Sequence, residues 1–178
     1  MEQNILKSIA LMQHKNEDYF ILDDVAYVGK LESAKKEYEE YQETPDLDTT
    51  FEKWVSENFN EVEEYDEDNC NNDYLVLTDK ESNKKCTEYI KDSLWAFNAS
   101  FIIEHSKLPY ESLEMIKSFQ EQKCEGANDT IEALIDDIDE FIEDAIRADG
   151  RGHYLDRYSG DESEETVENE TFYIYRQN

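Results

Sequence analysis

TIEALIDDIDEFIEDAIRADG, residues 130–150, carries two patterns at once. Ile131, Leu134, Ile135, Ile138, Ile142, Ala145 and Ile146 recur with the 3.6-residue period of a helix that buries one stripe. Between them Glu132, Asp136, Glu140 and Glu143/Asp144 recur at i,i+4, with Asp137 and Asp139 beside them. The spacing predicts one unbroken helix over 129–149, begun by Asn128 or Asp129 and ended by Gly150 and Gly152.

Upstream, LPYESLEMIKSFQEQ (108–122) reads as a helix with Pro109 near its first turn and Gly126 past its end. Before it, YLVLT (74–78) is the clearest strand, and Thr78 with Glu81 forms a capping box for the helix that follows. That helix carries Tyr89, Ile90, Leu94, Trp95, Phe97 and Phe101 to Ile103, with a candidate break at 98–100. Downstream, HYLDRYSG (153–160) and TFYIYRQN (171–178) read as two antiparallel strands joined by the acidic loop DESEETVENE.

The N-terminal part is less regular. Residues 3–13 read as a short helix, 19–28 (YFILDDVAYV) as containing a strand, and 31–41 as an exposed helix stopped before Pro45. Glu32–Lys36 and Lys35–Glu39 are i,i+4 pairs on that exposed helix. Thr49/Thr50 cap a second short helix, FEKWVSENF (51–59). NEVEEYDEDNCNND (60–73) is polar and unpatterned, and reads as a surface loop.

The expected class is α+β: a helix-dominated single domain spanning 1–178, with a small antiparallel sheet that includes a C-terminal hairpin. Residues 1–72 are a candidate N-terminal subdomain. Trp95, Phe97, Phe101, Ile102, Leu75, Leu77, Ile138 and Ile142 are the expected shared core.

Charge dominates the composition. The 178 residues include 46 Asp plus Glu against 17 Lys plus Arg, a net of −29. Residues 31–72 hold 15 acids and 3 bases, and 128–149 hold 9 and 1, whereas 73–127 hold 10 and 7. The 22 aromatics and only 2 Pro and 5 Gly argue for a folded chain rather than a disordered one. A nucleic-acid binder needs a basic footprint, and this chain would be repelled by phosphates and by anionic lipid surfaces. No run of ~18 apolar residues predicts a membrane helix, and the first 20 residues lack a signal peptide's apolar region. Cys70, Cys86 and Cys124 form no CxxC pair, which fits a reducing compartment. The expected location is the cytoplasm of a host cell, where the sequons at Asn98, Asn128 and Asn169 carry no meaning.

Chemistry finds little foothold. Asp66-Glu67-Asp68-Asn69-Cys70 breaks the EF-hand pattern at its fifth position, and Asn71 stands where the turn glycine belongs. His14, His105 and His153 are scattered singly, without zinc-ligand spacing, and read as surface or capping residues. His153 stands out because Gly150 and Gly152 would let backbone approach closely, although a tight connection after the helix explains them equally well. No cysteine or serine sits beside an evident base, and no phosphate-binding glycine loop or Walker lysine occurs. The expectation is no enzyme, no metal and no cofactor.

What remains is the acid. A helix rises ~1.5 Å per residue, so nine carboxylates over 128–149 give one per ~3.7 Å, close to the ~3.4 Å phosphate spacing of one DNA strand. Like charges at i,i+4 each cost ~0.2–0.5 kcal/mol, so their retention points to a basic partner.

YLVLTD (74–79), SLWAFNASFI (93–102) and ADGRGHYLDRYSG…FYIYRQN (148–178) resemble a group of uncharacterised small acidic bacteriophage proteins. The resemblance covers most of 74–178 and brings no established activity. In charge and size the chain is also similar to the phage DNA mimics, the antirestriction and anti-CRISPR proteins. That likeness implies an inhibitor that sets carboxylates in place of phosphates in the groove of a restriction or CRISPR nuclease. No residue role is carried over from either group. The expected partner is a basic nucleic-acid-binding host protein, a nuclease or its complex, with no direct nucleic acid and no membrane. Its candidate contacts are Asp136, Asp137, Asp139, Glu140, Glu143 and Asp144, then Glu61, Glu63, Glu64, Asp66, Glu67 and Asp68 in the 61–68 loop. Tyr38, Tyr41 and Tyr65 are candidate aromatic grips beside the acid. The alternative is an acidic phage accessory or adaptor protein that binds a host protein without mimicking DNA.

Overall fold

A computed structural model describes residues 1–42, 49–69 and 73–178. Pro45, Cys70 and Asn71 therefore lie outside the described residues. The class is α+β with helices dominating, and the described chain divides into two compact units, 1–78 with 163–177, and 79–162 with 178.

The first unit opens with α1 (Gln3–Lys15), which turns Leu6, Ile9, Ala10 and Met12 inward and ends at Asn16 in the left-handed conformation. β1 (Tyr19–Leu22) and β2 (Val25–Val28) pair antiparallel across Asp23 and Asp24. Both aspartates have positive φ, 50° and 63°, as a two-residue hairpin turn of matching twist requires. The single run read as containing a strand is thus a hairpin. α2 (Leu31–Gln42) and α3 (Phe51–Asn58), the latter capped by Thr50, pack with this hairpin around Phe20, Tyr27, Ala34, Trp54 and Val55.

β3 (Tyr74–Thr78) lies at one edge of the second sheet, in the order β3, β5 (Glu170–Arg176), β4 (Ser163–Val167), all antiparallel. Val76, Ile174, Phe172 and Val167 face α1 and share one core with Leu6, Ile9 and Ala10. Leu77 and Tyr175, on the opposite face, are also fully buried.

The C-terminal hairpin is present but displaced. Its first strand is SEETV (163–167), inside the stretch read as a loop, and its turn is Glu168–Asn169 with φ of 48° and 70°. Glutamate is an unusual choice for positive φ, so the turn carried no warning in the sequence. Residues 153–155, read as strand, close a helix instead.

The second unit is helical: α4 (Asp79–Asp92), α5 (Ala99–Glu104), α6 (Leu113–Lys123), α7 (Asn128–Leu134) and α8 (Ile138–Leu155). Tight 3-10 turns at 94–96, 110–112 and 124–127 link them. α4 packs along α8, and Ile90, Leu94, Ile102, Ile116, Ile131 and Phe141 are buried. Arg151 of α8 holds Glu162 through two bonds of 2.8 and 2.9 Å and reaches Asp79 of α4 at 2.7 Å. α8 bends at Gly150 (φ 78°), and at Gly152 an added Cβ would stand 2.3 Å from the carbonyl oxygen of Gly160. Close backbone approach therefore accounts for Gly152. The three sequon asparagines have local structural uses: Asn98 caps α5, Asn128 accepts from the Trp95 N–H, and Asn169 forms the hairpin turn.

The eight residues expected in one core do not behave alike. Leu75 and Leu77 belong to the first unit and the other six to the second. Ile102 and Ile142 are buried, whereas Trp95, Phe97 and Phe101 are only half-buried.

Candidate functional site

The predicted rod over 129–149 is two helices. Ile135 is extended (ψ 133°) and pairs with Ser106, and the Asp136 N–H donates to the His105 carbonyl at 2.8 Å. Asp137 then starts α8, its carboxylate accepting from the N–H groups of Asp139 and Glu140 at 3.0 and 3.1 Å. A short acid at the cap with Glu140 three residues on is a helix-start signature inside the supposed helix, so the sequence did hold the signal. The carboxylate spacing derived for an unbroken rod does not apply.

The six candidate acids of this stretch split accordingly. Asp136 pairs with Lys107 at 3.1 Å, Asp137 is the cap, and Asp144 contacts Arg147 and the His105 Nε2 (3.3 Å). Of the two expectations for His105, surface or capping, capping holds: it is the C-cap residue of α5, its Nδ1 lies 2.9 Å from the Phe101 carbonyl, and its ring packs against Phe101 and Phe141. Asp139, Glu140 and Glu143 are exposed and form no ion pair among the described residues. Asp139 and Glu143, with Ile142, Ile146 and Arg147, line a groove of about 590 Å³ against Asn83 and Thr87 of α4. An apolar floor rimmed by two carboxylates suits a basic, partly apolar visitor.

The second acidic stretch is anchored rather than loose. Glu61 bridges to Tyr27, and the Val62 N–H donates to the Ala26 carbonyl at 2.8 Å. Val62 and Tyr65 are buried in the core beneath α1, while Glu61, Glu63, Glu64, Asp66, Glu67 and Asp68 all point to solvent. The Tyr65 hydroxyl donates to the Tyr74 carbonyl (3.1 Å) and accepts from the Val76 N–H (3.0 Å). Tyr65 is therefore a core residue. Tyr38 and Tyr41 pack half-buried against Trp54 and serve the same aromatic cluster.

The exposed aromatics are others, chiefly Tyr89, Tyr110 and Tyr158, at 51%, 66% and 67%. Tyr89 belongs to a cleft that the sequence reading missed, lined also by Trp95, Phe97, Asp149, His153 and Tyr154 and enclosing about 350 Å³. Its floor is Tyr154, with ring centroids of Tyr89, Phe97 and His153 at 6.0, 6.4 and 5.0 Å. The Tyr154 hydroxyl faces Asp149 Oδ2 (3.3 Å) and the Ala145 carbonyl (3.2 Å), and burial, then the Asp149 charge, pushes its pKa well up. Burial likewise raises the Cys86 thiol to about 11. Backbone bonds hold the cleft's rim: the Asn128 side chain receives the Trp95 N–H at 2.9 Å. Gln120 Nε2 donates to the carbonyls of Trp95 and Phe97 at 2.9 and 2.8 Å. The available signal was the density of aromatics around Trp95, more than one small core accepts.

Among the described residues, no three His, Cys, Asp or Glu side chains converge as metal ligands would, and no helix is long and apolar enough to cross a membrane. Comparison of the chain with protein-family models, curated proteins and solved structures finds no match.

Proposed function

We propose that the chain is a phage-encoded inhibitor that occupies the basic surface of a nucleic-acid-binding host protein, of the restriction or CRISPR nuclease type. It acts in the host cytoplasm by competitive occupancy, without catalysis or a cofactor. The observation that carries this reading is the acid rim of the groove between α4 and α8. Asp139 and Glu143 on that rim, and Glu140 on the same helix, are exposed and form no ion pair among the described residues, in a chain of net charge −29. Such a surface steers a cationic partner at long range and competes with phosphate for it. The mimicry is of DNA's charge rather than of its spacing, because the break at 135–137 interrupts the regular ladder.

The test is competition. The chain, immobilised at low salt, should retain a DNA-binding host protein, release it to added duplex DNA, and block that protein's DNA binding in solution. The variant Asp139→Asn/Glu140→Gln/Glu143→Gln should bind more weakly and with a shallower salt dependence. Retention indifferent to DNA would sink the mimic reading. The same helix break favours a second reading, an acidic accessory or adaptor protein that docks on a host protein away from its DNA site. In that case binding survives saturating DNA.

A further inference from the structure

We propose that the aromatic cleft of the second unit is a cation-accepting pocket that takes the guanidinium of an arginine side chain from a protein partner. Tyr89, Trp95, Phe97 and Tyr154 line one depression, and the carboxylate of Asp149 stands in the same wall. Aromatic faces carry negative potential and attract a cation within ~6 Å of the ring centroid, most strongly at Trp and Tyr. Asp149 spends Oδ2 on the Tyr154 hydroxyl, and no Lys or Arg pairs with it among the described residues, so Oδ1 is available to a guest.

A planar guanidinium stacks on a ring and donates in the same plane to a carboxylate, which a compact ammonium does less well. The chain's charge of −29 enriches cations at every exposed depression and repels phosphates. The volume, about 350 Å³, falls in the ~300–1,000 Å³ range of side-chain and small-ligand sites. The site is also preorganised. Asn128 and Gln120 fix the backbone that carries Trp95 and Phe97, and little ordering remains to be done on binding. A second depression of about 180 Å³ shares Phe97, Asn98 and Asp149 and adds Phe101, so the same carboxylate borders two apolar hollows.

A nucleobase would also stack on such rings, but its phosphate would be repelled, so the cation is the favoured guest. The inference goes beyond the inhibitor reading and does not depend on whether the partner binds DNA.

The experiment titrates the full chain with acetyl-Gly-Arg-Gly-amide and follows the two indole N–H resonances and the tyrosine rings by NMR. Trp54 is buried in the first unit and is the internal control. Expected are saturable shifts at Trp95 and Tyr89 with none at Trp54, and a response lost when citrulline, isosteric and uncharged, replaces the peptide's arginine. Asp149→Asn and Tyr89→Ala should each weaken binding roughly three- to ten-fold. Tyr89→Leu keeps an apolar contact with Tyr154, guarding against loss of local structure, and should weaken binding as Tyr89→Ala does. Absence of saturation, an equal response to the citrulline peptide, unchanged affinity in all three variants, or a stronger response to adenosine monophosphate would each overturn the proposal.

Discussion

Two acidic stretches of equal charge are built in opposite ways. Residues 61–68 and 136–144 each carry six carboxylates. In the first, Val62 and Tyr65 plug into the core under α1, and the six acids between and beyond those anchors are all exposed, Asp66 also accepting the Asp68 N–H at 3.0 Å. In the second, three of the six are committed locally, to Lys107, to the α8 cap and to His105 with Arg147, and three form no ion pair among the described residues. Formal charge per residue is thus a poor measure of charge available to a partner. What decides is how many carboxylates the backbone and neighbouring cations have already claimed.

The largest test of this contrast is on the loop. If Tyr65 anchors it, Tyr65→Ala should cost ~3–5 kcal/mol in denaturant unfolding, the range for removing a buried aromatic. Tyr65→Phe should cost about 1–3 kcal/mol, because the Tyr74 carbonyl and the Val76 N–H lose their shared partner. An unchanged midpoint for both variants would return 61–68 to the status of a free loop.

On the helix side, Asp137→Ala should destabilise by about 1 kcal/mol through loss of the cap, while Asp137→Asn, which caps as well, should be near neutral. Equal effects of the two would mean that charge, not capping, is what Asp137 contributes.

Alkaline titration probes the same unit from its interior. Cys86 ionises at about 11 in the folded chain against 9.0 without burial, so the unfolded state loses its proton first. The contribution of the buried thiol is fully present below pH 9 and is lost as pH rises from 9 to 11, with Tyr154 adding to the loss above its ordinary value of 10.0. Melting curves of the native chain and Cys86→Ala should therefore converge with rising pH, the variant having nothing to lose at that position. Parallel curves would show that the thiol is not the group responsible.

The smallest effects belong to the free acids. Glu63→Gln/Glu64→Gln and Glu140→Gln/Glu143→Gln should each change stability by less than ~0.5 kcal/mol. Any gain should be seen at about 0.01 M salt and vanish near 0.15 M, where repulsion is screened within ~8 Å. A loss of several kcal/mol in either pair would mean those carboxylates have partners after all.

Elements whose signal is local were legible in the residues alone. The apolar period fixed α1 and the flanks of α7 and α8, Thr50 marked the start of α3, and β-branched and aromatic residues marked β3 and β5. Charge, read from composition, is what makes a basic partner the expectation. Tertiary structure alone decided the rest, because those features depend on residues far apart in the chain. Asp136 leaves the helix to pair with residue 105, SEETV becomes a strand only because β5 lies beside it, and Tyr65 is core only because its hydroxyl donates to the Tyr74 carbonyl and accepts the Val76 N–H. The cleft follows the same rule. Tyr89, Trp95, Asp149 and Tyr154 span 66 positions and make a pocket only when α4 packs along α8, since side-chain chemistry is legible in sequence but its convergence is a property of packing.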